Sequence, residues 1–368
     1  MKSIKEATDL ENKRVFLRVD FNVPIETASK SFRIKNHKET IDFLFSQGAK
    51  VALVSHIANG SSFRPILDGI KKNLGYDIAF ENDILNPNLE SQITLFENIR
   101  RYNQEEQNDQ TFILSLSKGF DIYVNDAFSV SHRAHSSVEG IAKVLPSYAG
   151  LALIREADSL KKVIESPAEG KVLVIGGAKV EDKAPVIKNF ISKSEKILLG
   201  GVVANTFLRR SGIEIGNSVS GDLQLIEGID SSKIILPQDA VIGASPMDGR
   251  SEFMTLGNVP IGNMILDIGP GTVDMYKEIL RNAKTVIWSG PMGYTENRIF
   301  CEGTKAVARA ISKDTFSVVG GGDTLAFLEK ENMLDKFSFL SSGGGAMLEF
   351  LADKRLPGLE ALRYYEAN

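Results

Sequence analysis

The sequence predicts an α/β protein of two doubly wound parallel-sheet (Rossmann-like) domains joined by a hinge helix, and three observations carry that prediction. Short apolar runs alternate with helical patterns through both halves of the chain, the order expected of βαβ units and parallel sheets. Glycine-rich turns follow several of those runs, at Gly176-Gly177, Gly290-Pro291, Gly320–Gly322 and Gly343–Gly345, and α/β folds hold their ligands at such strand ends. With 368 residues, 43% hydrophobic and 24% charged, the chain is long enough for two cores of roughly 150–200 residues each.

In the first half, Arg14–Val23 reads as a strand and His37–Gly48 as a helix stopped by its glycine. Lys50–His56 reads as the next strand, and Pro65–Gly75 as a helix with proline near its start. Gln92–Ile99 and Asp121–Phe128 are further strands with a helix between them. Leu151–Ile164 is helix-like and closes in the polar turn Glu165–Gly170. It reads as the connection between a first domain, residues 1–150, and a second that begins at 151. Beyond it the pattern restarts with KVLVIGG, KILLGGV, KIILPQD and MILDIGP, then with the strands that lead into the later glycine turns. The halves share architecture, not sequence.

The bulk numbers exclude several classes. A net charge of −4 exerts no general pull on nucleic acid or anionic membrane, so any basic site must be local. The single cysteine, Cys301, rules out an internal disulfide framework and suits a reducing compartment. The polar start MKSIKEATDLENK lacks an apolar signal core, and no run approaches the ~20 apolar residues of a membrane helix. A cytoplasmic location is the expectation.

The most informative stretch is KVLVIGGAKVEDK, Lys171 to Lys183. Strand, tight glycine turn and helix start form the arrangement in which backbone N–H groups meet a phosphate. If Lys179 to Lys183 is helical, the two lysines share a face and add positive charge to that cradle. The plain alternative is a solvated lysine pair beside an ordinary turn. Neither a G-x-x-x-x-G-K-[ST] loop nor a clean G-x-G-x-x-G is present, which weakens both a P-loop and a nicotinamide-dehydrogenase reading.

The first half carries different chemistry. Asp20 and Asn22 end its first strand, Arg33 follows, and His56 ends the second strand. Arg100 and Arg101 follow the third, and Ser131-His132-Arg133-Ala134-His135 follows the fourth. Singly each reads as a surface ion pair; repeated at successive strand ends they read as one basic cleft for a carboxylate or phosphate. His132 and His135 lack the further histidine or cysteine that would complete a local metal set.

These residues carry a resemblance. RVDFNVP (Arg18–Pro24), FENIR (Phe96–Arg100), YVNDAF (Tyr123–Phe128) and HRAHSS (His132–Ser137) resemble first-domain motifs of phosphoglycerate kinase. GGAKVEDK (Gly176–Lys183), NTFL (Asn205–Leu208), LDIGP (Leu266–Pro270) and WSGPMG (Trp288–Gly293) resemble second-domain motifs. GGGDT (Gly320–Thr324), SSGGGAMLEFL (Ser341–Leu351) and LPGLEAL (Leu356–Leu362) continue the likeness, in family order, to the end of the chain.

The resemblance implies reversible phosphoryl transfer between 1,3-bisphosphoglycerate and ADP, giving 3-phosphoglycerate and ATP, with Mg2+ carried on the nucleotide. It implies a glycerate-binding first domain (1–150 plus 354–368, the C-terminal tail returning to it). The nucleotide-binding domain is then 151–353, with 151–165 as the interdomain helix, and the expected state is a monomer. Asp20, Asn22, Arg33, His56, Arg100 and Arg133 match glycerate-binding positions. Lys179 and Lys183 match the phosphate-binding lysines, Glu296 the residue that holds the ribose, and Asp323 the one associated with the metal. Gly201, Leu266, Pro291, Gly293, Gly320, Gly321, Gly322 and Thr324 fall at the remaining nucleotide positions. Arg33, Lys179, Gly322 and Gly345 fall at positions around the transferred group.

Departures from the pattern are specific. Asn59 stands where an anion-binding arginine is expected, and Arg64 follows five residues later. Ser29-Lys30-Ser31-Phe32 replaces an acidic turn, and Ser289 replaces an asparagine. Val202, Ile265 and Tyr294 add bulk to the expected purine pocket. A catalytically weak relative, acting as a nucleotide-sensing or partner-binding protein, is the alternative that these departures keep open.

Overall fold

Helices and strands alternate along the chain in a computed structural model that describes residues 1–247 and 249–366, with Asn59 described by its backbone alone. The chain divides into two units, Met1–Asp158 with the residues from Arg355 on, and Ser159–Lys354.

The first unit is built on six parallel strands: β1 Arg14–Arg18, β2 Lys50–Val54, β3 Ala79–Glu81, β4 Ile93–Phe96, β5 Ile122–Asn125 and β6 Ser147–Ala149. Their spatial order is β3-β4-β2-β1-β5-β6. The chain therefore starts in the middle, grows to one side and then crosses β1 to grow to the other. Val15, Leu17, Val51, Leu53, Leu95 and Val124 are fully buried in its core. Such continuous apolar runs are what a sheet covered on both faces requires. The C-terminal residues return to this unit: Leu359 and Leu362 are buried, and the Gly358 N–H donates to the Ser131 carbonyl at 2.8 Å.

The second unit adds β7 Lys171–Ile175, β8 Lys196–Leu199, β9 Glu214–Ile215, β10 Ile234–Ile235, β11 Asp239–Gly243, β12 Glu252–Thr255, β13 Asn258–Val259, β14 Met264–Ile268, β15 Thr285–Ser289, β16 Phe316–Gly320 and β17 Phe339–Ser341. Six of them form a parallel sheet in the order β10-β8-β7-β15-β16-β17, with Val172, Val174, Val286 and Trp288 in its core.

The structure corrects two expectations. The run MILDIGP does not continue the parallel sheet. β14 pairs antiparallel with β11, in a separate three-stranded sheet β12-β11-β14. An apolar run of that length fits either kind of sheet, so its pairing is not readable from the sequence. Second, the helix after the glycine turn starts at Val180, and Lys179 is its extended N-cap residue. The division between units falls inside the helix Leu151–Glu165, the segment expected to connect the domains. Its first turns stay with the first unit because Leu151 packs in that core and Ile154 lies against it.

Candidate active site

In both parallel sheets the strand order reverses beside the first strand, and the polar motifs collect at the C-terminal strand ends there, where a crevice opens in α/β sheets. In the first unit these are the ends of β1, β2, β4 and β5.

Asp20 is buried, and burial alone would push its carboxyl up. Arg33, with Nη1 at 3.2 Å, and the Ser129 hydroxyl, donating at 2.6 Å, outweigh burial and hold it below the ordinary carboxylate range. Asn22 is tied down at both ends. Its N–H donates to Asp20 Oδ1, and its Oδ1 accepts from the Ala58 N–H, each at 3.1 Å.

His56 is buried at the end of β2. Its Nδ1 lies 3.2 Å from Arg18 Nη2, and because arginine can only donate, Nδ1 is an acceptor and the proton sits on Nε2. Burial, then Arg18, press its pKa down to about 3. His135 is pressed down to about 4 by burial and by Arg100 and Arg133.

Arg100 is depressed first by burial and then by Arg133. Its Nε is 3.1 Å from Glu106, while its Nη2 is buried with no hydrogen-bond partner among the described residues. Cations that press on one another without full compensation form a basin suited to a multiply charged anion.

Of the expected residues, Asp20, Asn22, His56, Arg100 and Arg133 lie on the segments that follow these strand ends, and Arg33 sits in the short helix Phe32–Lys35 with its guanidinium against Asp20. Arg18, Glu105 and Ser137 were missed. Arg18 donates from Nε to Ser137 Oγ at 3.0 Å, and that hydroxyl donates to Glu105 at 2.6 Å. A charge inside the apolar run RVFLRV was the available signal, since a buried arginine needs partners.

Arg64 lies elsewhere. Its guanidinium stacks 4.6 Å from the Phe80 ring centroid and donates to Asn82 Oδ1 at 3.2 Å. The side chain of Asn59 lies outside the described residues.

In the second unit the loops after β7 and β15 meet. The Gly176 N–H donates to the Ser289 carbonyl at 2.9 Å and the Gly177 N–H to the Pro291 carbonyl at 2.7 Å. Gly290 has a φ of +90°, and a Cβ there would stand 2.1 Å from the Gly176 carbonyl oxygen. Thr324 accepts the Gly290 N–H at 3.0 Å, so it positions the loop.

Beside these loops lies a cavity of about 320 Å³ lined by Gly177, Gly201, Leu266, Pro291, Gly293, Glu296 and Asp323, within the usual size of a small-molecule site. Val202, Ile265 and Tyr294 line it as well.

The two lysines differ. Lys179 is exposed at the helix start. Lys183 is buried, and a Cβ on Gly177 would stand 3.3 Å from its Nζ. Burial lowers the Lys183 pKa, opposed by Asp182, Asp323 and Glu181. Asp323 is exposed in the first turn of the helix Gly322–Lys330, after Gly321.

Gly322 is exposed at that helix start, with open space where a Cβ would point, and Gly345 is exposed at the start of the helix Gly345–Leu351. First-turn N–H groups have no partner within their own helix, which suits them to anions. Gly320 has a different task, because a Cβ there would fall 2.4 Å from Met347 Sδ; it makes room for packing at the end of β16.

Sequence reasoning also missed Asp267, which lines the cavity. Burial raises its carboxyl to about 8 against the N–H groups of Gly303 and Ile268. LDIGP contains it, but nothing in the motif told a buried carboxyl from an exposed one.

The sequence profile of the family described as "Phosphoglycerate kinase" matches residues 4–354. A protein of that name from Moorella thermoacetica is 39% identical, over 96% of this chain and 97% of its own length. One from Leptospira biflexa is 37% identical over 97% of both. The solved structure of phosphoglycerate kinase from Coxiella burnetii superposes with a TM-score of 0.84 at 33% identity, covering 99% of each chain. That from Pyrococcus horikoshii gives 0.88 at 30% identity, with both chains fully covered. With profile, relatives and solved structures agreeing along nearly its whole length, the chain belongs to the phosphoglycerate kinase family.

Proposed function

We propose that the first unit holds the glycerate through Asp20, Asn22, Arg33, His56, Arg100 and Arg133, and that the second holds the nucleotide in the cavity beside Gly177 and Gly201. The reaction is that of the family, reversible phosphoryl transfer between 1,3-bisphosphoglycerate and ADP in glycolysis, and the chain is a phosphotransferase. Nothing among the comparisons favours a catalytically weak relative acting as a nucleotide-sensing or partner-binding protein.

The observation that carries the division of labour is the contrast between the two strand-end sites. The first is crowded with arginines whose charges press on one another, which matches a small acid bearing a carboxylate and a phosphate. The second is an apolar cavity with lysines and helix starts at its edge, which matches a base with a phosphate tail.

Phosphoryl transfer passes through a loose, charge-rich transition state, so the protein contributes positioning and electrostatic stabilisation. A carboxylate nucleophile carries no proton to abstract. Arg33, Lys179 and the helix starts at Gly322 and Gly345 supply positive potential around the transferred group. Removing one donor of this kind typically costs about 10²–10³ in kcat. With the substrates on separate units, closure that excludes water would protect the acyl phosphate from hydrolysis.

Among the described residues no group of three or more His, Cys, Asp or Glu could hold a metal. A lone carboxylate such as Asp323 nevertheless fits Mg2+, which binds through one or two carboxylates plus substrate phosphates. Bound with the nucleotide, Mg2+ would neutralise phosphate charge. The proposal includes a cytoplasmic monomer, supported by the family likeness and by the single buried cysteine, Cys301.

Calorimetry on the intact protein tests the division. Asp20→Asn should weaken 3-phosphoglycerate and spare MgADP; Asp323→Asn should do the reverse. If both variants lose the same ligand, the assignment fails.

A further inference from the structure

His37 belongs to none of the motifs above, yet it is 2% exposed and lies at the centre of a continuous hydrogen-bond chain. Its Nε2 accepts the backbone N–H of Asp20 at 3.0 Å. Its Nδ1 lies 2.7 Å from Asp126 Oδ2. An acceptor at Nε2 and a carboxylate at Nδ1 fix one tautomer, with the proton on Nδ1 donating to Asp126. The ring also stands edge-on to Phe21, with centroids 5.9 Å apart.

The chain continues beyond the histidine. Asp126 Oδ1 accepts the Thr40 hydroxyl at 2.8 Å and the Ala152 N–H at 2.9 Å. Thr40 Oγ1 in turn accepts the Leu151 N–H at 2.9 Å. These are orphan donors of the first turn of the helix Leu151–Glu165, so Asp126 and Thr40 anchor its N-terminus. A Cβ on Gly150 would stand 2.0 Å from Asp126 Oδ1, so the absence of a side chain there lets the carboxylate reach the helix start. That helix runs from the first unit into the second.

At its other end the chain reaches the loop 19–22. Asp20 receives Arg33 and Ser129 on its carboxylate, while its Oδ1 accepts the Asn22 N–H. The placement of Asp20 and Asn22 therefore depends on an N–H whose acceptor is a side chain 17 residues away. Buried polar networks of this kind hold one geometry when every member is satisfied, and lose it when one is removed.

We propose that His37 is a positioning residue of the glycerate site, and that the chain Asp20–His37–Asp126–Ala152 carries glycerate occupancy to the start of the helix Leu151–Glu165. The proposal rests on the assignment of Asp20 to the glycerate site. Occupancy that orders the Asp20 loop steadies the imidazole, which steadies the Asp126 carboxylate, which holds the first-turn N–H groups of the helix. Coupling through a contiguous set of bonds of this sort is testable bond by bond.

His37→Phe preserves the ring and its contact with Phe21 while removing both hydrogen-bonding atoms. His37→Gln keeps one donor and one acceptor in the same side chain. Three variants of the full chain, His37→Phe, His37→Gln and Asp20→Asn, are compared with the parent in steady-state kinetics and in amide hydrogen exchange of residues 149–156. In the parent, saturating 3-phosphoglycerate should slow exchange at Leu151 and Ala152. His37→Phe should raise KM for 3-phosphoglycerate at least about tenfold, leave KM for MgATP within about twofold, and abolish the slowing. His37→Gln should recover part of both, which a residue serving stability alone would not show. If His37→Phe fails to fold, an unaltered KM and exchange pattern in His37→Gln combined with Thr40→Val would overturn the proposal. A raised KM in Asp20→Asn with an unaltered one in His37→Phe would overturn the relay and leave the site standing. An unaltered KM in Asp20→Asn would overturn the site assignment itself.

Discussion

Gly201 stands so close to Gly177 that a Cβ on the first would lie 2.7 Å from the backbone nitrogen of the second. Gly201 also has a φ of +57°, a conformation that costs an ordinary residue of order 1 kcal/mol or more. Two glycine turns from different strand ends are thereby pressed into one wall of the cavity. Gly201→Ala must push that wall apart, and overpacking of this kind costs about 1–3 kcal/mol. Most of that cost should appear in nucleotide binding, because the displaced atoms line the cavity. KM for MgATP is expected to rise at least about tenfold, roughly 1.4 kcal/mol, with KM for 3-phosphoglycerate unchanged. Steady-state kinetics with each substrate varied in turn checks this.

Arg64→Ala should leave 3-phosphoglycerate binding untouched. The guanidinium is committed to Phe80 and Asn82, so it does not stand in for the arginine expected at Asn59. Its loss should cost about 0.5–1 kcal/mol of stability, the size of an exposed cation–π contact. A denaturant melt measures that, and a KM for 3-phosphoglycerate raised tenfold would show that Arg64 leaves Phe80 when substrate binds.

The first unit should lose stability on mild acidification because of His56 and His135. His56 and His135 have folded-state values of about 3 and about 4, against an ordinary 6.5. The unfolded chain therefore binds more protons than the folded one in that interval. The stabilisation is complete above 6.5 and is lost as pH falls toward 3 or 4, at a limiting slope of about 1.4 kcal/mol per pH unit per histidine. Urea melts at pH 7.0, 6.0 and 5.0 should show the decline. His56→Gln should show a shallower decline than the parent over the same range, which separates the histidine from carboxylates that titrate lower.

What the sequence made legible follows from the physics of each element. β1, β2 and β7 announced themselves because a strand covered on both faces must be a continuous apolar run, and the turns after them because close backbone approach demands glycine. β14 did not, since MILDI is equally apolar in a parallel or an antiparallel pair. Lys179 was legible as a charge after a strand-end glycine turn, and Arg33 as a charge in the segment that follows β1. His37 was not, because its role depends on Asp126, which lies 89 residues away. The same holds for Arg64, whose partner Phe80 is brought to it by the fold. Local chemistry is written in the local sequence; a partner brought by the fold is not.

Lys179 tests the account most directly. It is the exposed N-cap residue beside the glycine turn, and under the proposed function it meets charge that develops on the transferred group rather than holding the nucleotide at rest. In a coupled assay with 3-phosphoglycerate and MgATP, Lys179→Ala should lower kcat at least about a hundredfold, with KM for MgATP within about threefold of the parent. A near-normal kcat with a raised KM would contradict the account, because Lys179 would then be a ground-state contact and the positive potential at the transferred phosphoryl would have to come from elsewhere.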